Sequence, residues 1–467
     1  MSSTQKHQGN PVMKRTYICL KGCLASPLLV GSGEDEKTDK DVILDGRGKP
    51  FVPGSSLAGA LRHYLSDLTG DPELVTYWFG SGDERQSRLL VYDMRLEKAK
   101  LGHRDGVRLG VYKTAADMGK YDMQIVEPGI QYVIRLELVK RANDEVQEEM
   151  EKRTEEELLQ KLVGGLMTGG LTLGAKSRRG FGKLTVEKAW RKAFNVADRE
   201  GCAQWLDWDW GKDDAFEDTD AWSLEKINRQ DARDHCLEVP LSLRQSLMIR
   251  QYTQMRFDAP NLPDYEQLKS LSKPVIPGSS WMGAIRERIR SIMEVEMGIR
   301  TEEAQKKLEP LFGTWGGELK AGTLWASKVR VEESLVESPS TQTGQGVNYQ
   351  DLTLTRNAID RFTGGTVRGA LYTSKPWVGG QTKLILRWPR KLEEPLPKVI
   401  GGLLLWAIED LQAGLLAVGG ETAVGRGTFE SNGQMLLDGE PLGDKSPYYK
   451  AAVQWCKEPV EKEGKGK

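Results

Sequence analysis

An internal repeat constrains the fold of this chain more than any other feature of its sequence. Residues 53–62 read Pro-Gly-Ser-Ser-Leu-Ala-Gly-Ala-Leu-Arg and residues 277–286 read Pro-Gly-Ser-Ser-Trp-Met-Gly-Ala-Ile-Arg, so that seven of ten positions are identical. Two further landmarks follow each copy in the same order: a Phe-Gly pair at 79–80 and 312–313, and a Gly-rich turn at 174–182 and 419–427. Three landmarks in one order predict a tandem duplication.

The repeat divides the 467 residues into two domains of ordinary size. We predict a first domain at 13–195 and a second at 239–440, followed by a charged tail at 441–467. The intervening residues 196–238 are acidic and rich in Trp, and their apolar residues follow neither the strand period nor the helix period. We interpret this segment as a linker; the alternative is that its Trp side chains dock onto a neighbouring surface.

The order of predicted elements indicates one α+β fold in both halves. In the first half, residues 16–24 and 131–139 have strand patterns, and residues 57–68 and 158–167 have helical spacing. Because apolar and polar residues alternate in 131–139, we expect one buried face for that strand. The corresponding segments of the second half are the strand 382–388 and the helix 399–412. This order predicts two tandem ferredoxin-like domains with antiparallel sheets.

Composition and charge exclude several classes of protein. No run of 18 apolar residues is present, and residues 1–14 lack the apolar core of a signal peptide, so we expect a cytoplasmic protein without a membrane partner. The 66 basic and 67 acidic residues leave a net charge of −1, which excludes a globally basic nucleic-acid binder but not a local basic groove. The five cysteines and four histidines are too scattered to predict a zinc or haem site.

Two motifs of the repeat are suited to an anion. Ser55 and Ser56 precede a predicted helix, as Ser279 and Ser280 do in the second copy, and a helix start offers backbone N–H groups to a phosphate. An ordinary N-cap formed by these serines accounts for the same pattern. The Gly-rich turn at 174–182 carries three cations and suits a phosphate too, although an exposed β-turn has the same composition. Neither turn has the Walker spacing, so a nucleoside triphosphatase is not expected.

These motifs resemble the RAMP superfamily, specifically the repeated backbone subunit of type III CRISPR effector complexes. In the first half the resemblance is carried by Gly31-Ser32-Gly33 with the acidic loop after it, by residues 51–62, and by the Gly-rich turn. In the second half it is carried by residues 274–281, 356–372 and 419–427. Two fused copies are similar to the double backbone proteins of type III-D-like systems. The resemblance implies an RNA-recognition-motif-like (ferredoxin-like) fold in each copy, with a β-hairpin thumb and a Gly-rich loop.

The resemblance also implies partners and RNA-binding residues. Members of the family line up along a guide crRNA, and their thumbs, which would correspond here to residues 108–127 and 356–372, displace guide bases. Further implied partners are a single-stranded target RNA, other RAMP subunits and a polymerase/cyclase-like large subunit. The residues implied to bind RNA are Ser55, Ser56, Arg62, Lys113, Lys176, Arg178, Arg179, Ser279, Ser280, Arg286, Arg356, Arg361 and Arg426.

Target cleavage by the family implies a catalytic Asp in each acidic loop. In active members an Asp before the second strand cleaves the target, and Asp39, three residues before Val42, matches it. Carried over, Asp39 helps to bind Mg²⁺ (or Mn²⁺) or activates the ribose 2′-hydroxyl, so that the chain is a metal-dependent endoribonuclease. Asp264 is the counterpart in the second copy, 13 residues before the repeated proline against 14 for Asp39. The second copy lacks the Gly-rich start of the loop. The alternative is therefore that the second copy has a structural role and no catalytic one.

Two other hypotheses are open. The first is that the same fold serves as a non-catalytic guide-RNA-binding scaffold, with acidic loops that are merely solvated. The second is a guide-processing endonuclease, which usually relies on a His general base. His63 and His103 are the candidates in the first copy, and the second copy has no equivalent of either, which argues against this hypothesis.

Overall fold

The structure is a computed structural model. It describes residues 10–31, 41–82, 85–109, 115–142, 154–212, 215–216, 222–227, 233–252, 262–314, 325–337 and 352–459. The chain divides into a first compact unit (Met1–Gly102, Gln124–Ala175, Phe181–Arg233) and a second (His103–Met123, Lys176–Gly180, Asp234–Lys467). Each unit corresponds to one copy of the repeat, except that residues 103–123 and 176–180 of the first copy belong to the second unit.

The described part of the first copy contains the following elements. Its strands are β1 (Val12–Leu24), β2 (Phe51–Val52), β3 (Leu89–Val91), β4 (Met94–Glu97), β5 (Leu101–Leu109), β6 (Ala115–Val126), β7 (Gln131–Arg141) and β8 (Leu184–Asn195). Its helices are α1 (Gly54–Thr69), α2 (Pro72–Phe79), α3 (Glu155–Thr168) and α4 (Arg199–Asp207).

The described part of the second copy repeats this order. Its strands are β9 (Asp234–Leu243), β10 (Ser246–Leu247), β11 (Arg250–Tyr252), β12 (Tyr265–Gln267), β13 (Lys269–Ser270), β14 (Lys273–Ile276), β15 (Arg330–Val331), β16 (Ser334–Glu337), β17 (Leu354–Arg356), β18 (Tyr372–Lys375), β19 (Trp377–Val378), β20 (Gln381–Pro389), β21 (Phe429–Ser431), β22 (Leu436–Leu437) and β23 (Glu440–Pro441). Its helices are α5 (Gly278–Val295), α6 (Thr301–Phe312) and α7 (Leu396–Ala413). A further helix, α8 (Ser446–Lys457), lies within the segment 441–467 that we predict as a charged tail, and its Ala452 and Cys456 are buried in the core of the second unit.

The first unit is built on a sheet of order β2-β4-β7-β1-β8, with β3 also paired to β7. Strand β1 lies between β7 and β8 and is antiparallel to both. Helices α1 and α3 bury Leu57, Leu61, Leu159 and Leu162 in the core of this unit. Both helices contain the segments predicted from helical spacing, and the α+β class is confirmed.

Strand β7 differs from its prediction, because both of its faces are buried. Glu137, a position that alternation predicts to be exposed, is buried and accepts hydrogen bonds from Arg15 and, at 2.7 Å, from the Tyr92 hydroxyl. Val133 on the same face packs into an aromatic cluster. A charged side chain such as Glu137 can be buried in this way when its charge is paired. The residues that pack over the second face of β7 are distant from it in the sequence.

That cover is the Trp-rich segment, which packs on the first unit as the alternative interpretation expects. Trp205 Nε1 donates to the Tyr17 hydroxyl at 2.8 Å. The rings of Trp208 and Trp210 lie 4.8 and 4.7 Å from the ring of Tyr17, and Trp208 also contacts Phe194 at 5.1 Å. These side chains form one cluster with Val133. The second face of β7 is therefore buried, although the alternation of its sequence predicts one buried face.

The second unit contains a sheet of order β13-β14-β16-β20-β9-β22-β23, with β15 paired to β20 and β21 to β9. Its core includes Trp281 of α5, whose ring lies 5.2 Å from Phe429, and Leu403 of α7. The predicted strand 382–388 and helix 399–412 lie within β20 and α7. A separate four-stranded sheet, β11-β12-β18-β17, joins β12, which directly follows Asp264, to the second hairpin, which is formed by β17 and β18.

Helices α1 and α5 begin one residue earlier than the serines, so the prediction that Ser55 and Ser56 form an N-cap is wrong. The N-cap residues are Pro53 and Pro277, and neither helix has a side-chain cap hydrogen bond. Proline restricts its own φ, and with ψ values of 140° and 144° both prolines have the extended backbone of an N-cap residue, so the following glycine is the first helical residue.

Candidate nucleic-acid interface

The first acidic loop is described only at its two ends, since Asp39 lies outside the described residues. Gly31 and Val42 form an antiparallel bridge, and the Ile43 N–H donates to the Val30 carbonyl at 2.9 Å. The Val42 N–H also donates to Gln124 Oε1 of β6 at 3.2 Å. The described ends of the loop are therefore bonded to each other and to Gln124 of β6, the strand that pairs with β5 in the first hairpin. Lys113 lies outside the described residues as well.

Asp264 is exposed and is held at the base of the second hairpin. Its Oδ2 accepts from the Thr373 N–H at 2.6 Å, and its own N–H donates to the Thr373 carbonyl at 2.8 Å. Thr373 belongs to β18, the returning strand of the hairpin. Glu266, the nearest carboxylate along the chain, pairs with Lys269 at 2.8 Å. Asp264 thus presents a carboxylate to solvent at a position that the hairpin determines.

Three tyrosine rings meet beside Asp264. Strand pairing places Tyr252 opposite Tyr265, with ring centroids 6.3 Å apart. The ring of Tyr372 lies 6.3 Å from that of Tyr265 at an interplanar angle of 19°. Tyr265 is only 8% exposed, whereas Tyr252 and Tyr372 are 49% and 36% exposed. One buried ring therefore supports two exposed rings.

Cationic side chains lie over two of these rings. The Arg250 guanidinium is 4.7 Å from the centroid of the Tyr265 ring, and the Lys120 ammonium is 5.5 Å from that of Tyr252. Both cations are exposed. Because cations and aromatic faces attract each other, this arrangement keeps one positive charge next to the exposed Tyr252 ring and one next to the buried Tyr265 ring.

Glu421 of the second Gly-rich loop anchors the buried ring and the hairpin. Its carboxylate accepts from the Tyr265 hydroxyl at 2.9 Å, from Arg426 Nε at 2.7 Å and from Arg356 Nη1 at 3.3 Å. Burial, and then the hydrogen bond to Glu421, raise the pKa of Tyr265 to about 12, so this hydroxyl remains a donor at neutral pH. Arg426 is buried and donates also to Ser246 Oγ at 3.1 Å. Arg356 and Arg426, predicted to bind RNA, both have a protein carboxylate as partner.

Two arginines of the first Gly-rich loop donate to main-chain carbonyls within the second unit. Arg178 Nη1 donates to the Ser327 carbonyl, and Arg179 Nη1 to the Val329 carbonyl at 3.3 Å. Burial, and then the charges of Arg286 and Arg178, lower the pKa of Arg179 to about 10, so it is still charged at neutral pH. These contacts show a structural use for two residues that were predicted to bind phosphate; that prediction itself is untested.

The first hairpin is also held within the second unit. Arg104 of β5 forms an ion pair with Glu333 whose Nη2–Oε1 distance is 3.1 Å, and both side chains are nearly fully buried. Lys176 Nζ donates to the Tyr121 hydroxyl at 2.9 Å and lies 4.4 Å from the centre of that ring. The attraction in a buried ion pair offsets the cost of desolvation only when the geometry is good. The pair therefore favours one position of Arg104 and of the strand that carries it.

Protein groups lie close to both predicted helix-start anion sites. The Gly54 N–H donates to Asp93 Oδ1 at 2.7 Å. A Cβ at Gly278 would collide with the carbonyls of Val331 and Arg179, so this helix start is in close contact with the first Gly-rich loop. The exposed members of the predicted set in these helices are Ser55, Ser56, Arg62 and Ser279, and the partly buried ones are Ser280 and Arg286. Burial lowers the pKa of Arg286.

The connection between β17 and β18, residues 357–371, is largely exposed and combines cations with apolar side chains. Arg361 and Arg368 are exposed there. Phe362 between them is 99% exposed, and Leu371 is 67% exposed. Of the predicted RNA-binding cations in the second copy, Arg361 is the one most accessible to a polyanion.

Sequence reasoning missed the three tyrosines and Glu421. Tyr252 and Tyr265 flank the second acidic loop, and Tyr372 is the first residue of β18, but their convergence depends on the pairing of β11, β12 and β18. The one local signal was two tyrosines bracketing a loop that contains a candidate catalytic Asp.

The described residues do not by themselves fit a divalent cation. No group of three His, Cys, Asp or Glu side chains is clustered within the described ranges. Near Asp264, one carboxylate oxygen already accepts a backbone N–H, and Glu266 is paired with Lys269. The predicted metal ligand, Asp39, lies outside the described residues.

The two antiparallel α+β units with matching Gly-rich loops define a tandem protein of two related domains. The family model described as RAMPs, RAMP superfamily, matches residues 24–185 and 263–430, more than half of the chain, and the chain belongs to the RAMP superfamily. No protein of curated function matches it significantly. No helix in the described part of the chain is long and apolar enough to cross a membrane.

A solved structure, the "Cryo-EM structure of the Type III-B Cmr-beta bound to cognate target RNA", contains a similar chain. The similarity amounts to 15% identity at a TM-score of 0.30, over 38% of this chain and 61% of that chain. This chain thus spans less than two thirds of the length of that relative, and family membership rests on the family model.

Proposed function

We propose that this chain is a backbone subunit of a type III CRISPR effector complex, which binds guide crRNA and cleaves the paired target RNA in defence against foreign genetic elements. The observation that carries the proposal is the exposed carboxylate of Asp264, held by Thr373 at the base of an exposed hairpin within a RAMP domain. The proposed partners are crRNA, single-stranded target RNA, other RAMP subunits and a polymerase/cyclase-like large subunit, in the cytoplasm.

RNA binding relies on exposed cations in a chain with no net excess of positive charge. Lys120, Arg250, Arg361 and Arg368 are exposed in the second unit. Such side chains contact phosphates irrespective of base, which suits a subunit whose sequence specificity comes from a paired guide.

Cleavage follows from a carboxylate acting on the target ribose. Asp39, or Asp264 in the second copy, takes the proton of the 2′-hydroxyl, and the 2′-oxygen attacks the adjacent phosphorus. The bond from phosphorus to the 5′-oxygen breaks, and the leaving oxygen takes up a proton from water. The products carry a 2′,3′-cyclic phosphate and a 5′-hydroxyl. A divalent cation bound with Asp39 would stabilise the charge on the phosphate. We include in the proposal that cleavage depends on Mg²⁺ or Mn²⁺.

A scaffold without catalysis is the second candidate for the second copy. The observation that favours it is the Glu266–Lys269 pair, which leaves Asp264 without an adjacent unpaired carboxylate among the described residues. In that case the carboxylate of Asp264 serves to hold Thr373 and the hairpin.

Reconstitution of the full chain with guide RNA, partner subunits and labelled target tests the proposal. Asp39→Ala is expected to lower cleavage at one position by about 10²-fold or more, the effect of losing a general base, while guide affinity stays unchanged. Glu266→Gln, two residues from Asp264, is the matched control for Asp264→Ala. Guide-independent cleavage, or wild-type rates in both Asp variants, would contradict the catalytic assignment, and removal of divalent cations with EDTA tests the metal.

A further inference from the structure

We propose that Tyr252 and Tyr372 form a stacking platform for an unpaired RNA base beside Asp264, a binding site at residues that neither the repeat nor the Gly-rich loops indicate. The inference rests on the proposed function, because it takes single-stranded RNA as the ligand and Asp264 as the reacting group.

The two exposed rings are fixed by one buried ring. Tyr265 lies between them, and its hydroxyl is held by Glu421 at 2.9 Å. Glu421 is itself held by Arg426 and Arg356, so the supporting ring has a fixed position. A fixed aromatic face loses little entropy when a base stacks on it, which favours affinity.

Charge selects a nucleotide as the occupant. Lys120 lies over the Tyr252 ring and Arg250 over the Tyr265 ring. Both cations are exposed, so they can contact a phosphate on either side of a stacked base. A purely apolar protein segment would gain nothing from these two charges, whereas an RNA strand matches rings and cations together.

Two of the tyrosines are close in sequence to Asp264 or to the residue that holds its carboxylate. Tyr265 follows Asp264 directly, and Tyr372 precedes Thr373, the residue whose N–H holds the Asp264 carboxylate. A base stacked on Tyr372 therefore brings its own ribose and phosphate to the end of the strand where Asp264 lies. Stacking would thus position the substrate, and the two tyrosines are positioning residues.

The test uses the full chain and a fluorescently labelled single-stranded RNA of about 12 nucleotides, within the site sizes usual for such interfaces. Tyr252→Ala and Tyr372→Ala are each expected to weaken binding by about 5- to 150-fold, the range for one stacked base. Tyr252→Phe, which keeps the ring, is expected to restore wild-type affinity. Trp325→Ala, at an exposed aromatic residue of the same unit, is the matched control.

A second ligand separates stacking from a general loss of structure. On RNA whose bases are replaced by abasic sites, the alanine variants and the wild type are expected to bind equally, with an unchanged salt dependence. Ultraviolet crosslinking of 5-bromouridine RNA to the wild type, which needs no variant, is expected to label Tyr252 or Tyr372.

Each outcome decides one question. Normal RNA binding by both alanine variants, an equal loss on abasic RNA, or crosslinks confined to other segments would overturn the platform and leave the proposed function standing. Failure of the wild-type chain to bind any RNA would overturn both.

Discussion

Lys176 and Glu421 occupy the same position in the two Gly-rich loops with opposite charge. Both adopt a φ of 57°, and the glycine four residues later, Gly180 or Gly425, adopts 93° or 86°. Each side chain bonds to a tyrosine hydroxyl, Lys176 to Tyr121 and Glu421 to Tyr265. The shared backbone and the shared kind of partner indicate that this position anchors neighbouring segments. In the second loop a bound phosphate would also meet the negative charge of Glu421.

Removing the charge of Glu421 should therefore destabilise the second unit. Glu421→Gln leaves the buried Arg426 without its ion-pair partner, and we expect a loss of about 3 kcal/mol in the free energy of unfolding. Glu430→Gln is the matched control, because Glu430 is exposed and its pair with Arg244 spans 3.6 Å. Thermal or denaturant unfolding measures both; equal stability of the two variants would contradict the anchoring role.

At the scale of elements, the first Gly-rich loop and the second hairpin should respond differently to loss of charge. Arg178 donates to the Ser327 carbonyl, whereas Arg361 is exposed. We expect Arg178→Gln to lower thermal stability with little change in RNA affinity. Arg361→Gln should leave stability unchanged and reduce the slope of log affinity against log salt by about 0.7, the value for one phosphate contact to a single strand. If Arg178→Gln instead reduced RNA affinity and its salt dependence without lowering stability, the first Gly-rich loop would have its predicted phosphate-binding role.

The Trp-rich segment should behave as part of the first unit's core. Trp208 contacts Tyr17, Phe194 and Phe216. Trp208→Ala opens this cluster and should cost about 3 kcal/mol of stability, near the lower end for buried aromatic residues. Leu206→Ala, at a residue 70% exposed, should cost less than about 0.5 kcal/mol. A flexible linker would instead tolerate both changes, which unfolding experiments on the two variants distinguish.

Sequence patterns predicted the elements whose signal is local. The helical spacing at 57–68 and 399–412 appears in α1 and α7, and the repeat itself predicted two similar folds. The burial of both faces of β7 was not predicted, because the Trp residues that cover it lie about 70 positions further along. The N-cap prediction failed because Pro53 already sets the helix start. The tyrosine cluster was missed because it depends on the pairing of β11, β12 and β18, which brings together residues that are distant in the sequence.

At the scale of the whole molecule, the two copies are similar in their Gly-rich loops but unequal around their candidate catalytic residues. Asp39 follows a Gly-rich loop start with other carboxylates near it in sequence, and Asp264 lies between Pro263 and Tyr265. Proline restricts the residue before it and stiffens the second loop. We therefore expect the first copy to cleave, and the cut that depends on Asp264 tests whether the second copy cleaves as well.

Mapping the ends of the target fragments tests the central claim most directly, namely that this tandem chain is a guide-directed ribonuclease using Asp39 and Asp264. With wild-type complex we predict two cuts separated by one thumb interval, each leaving a 2′,3′-cyclic phosphate and a 5′-hydroxyl. Asp39→Ala should remove one cut and Asp264→Ala the other. Fragments whose ends are unrelated to the guide, or two cuts that persist in the Asp39→Ala complex, would contradict it.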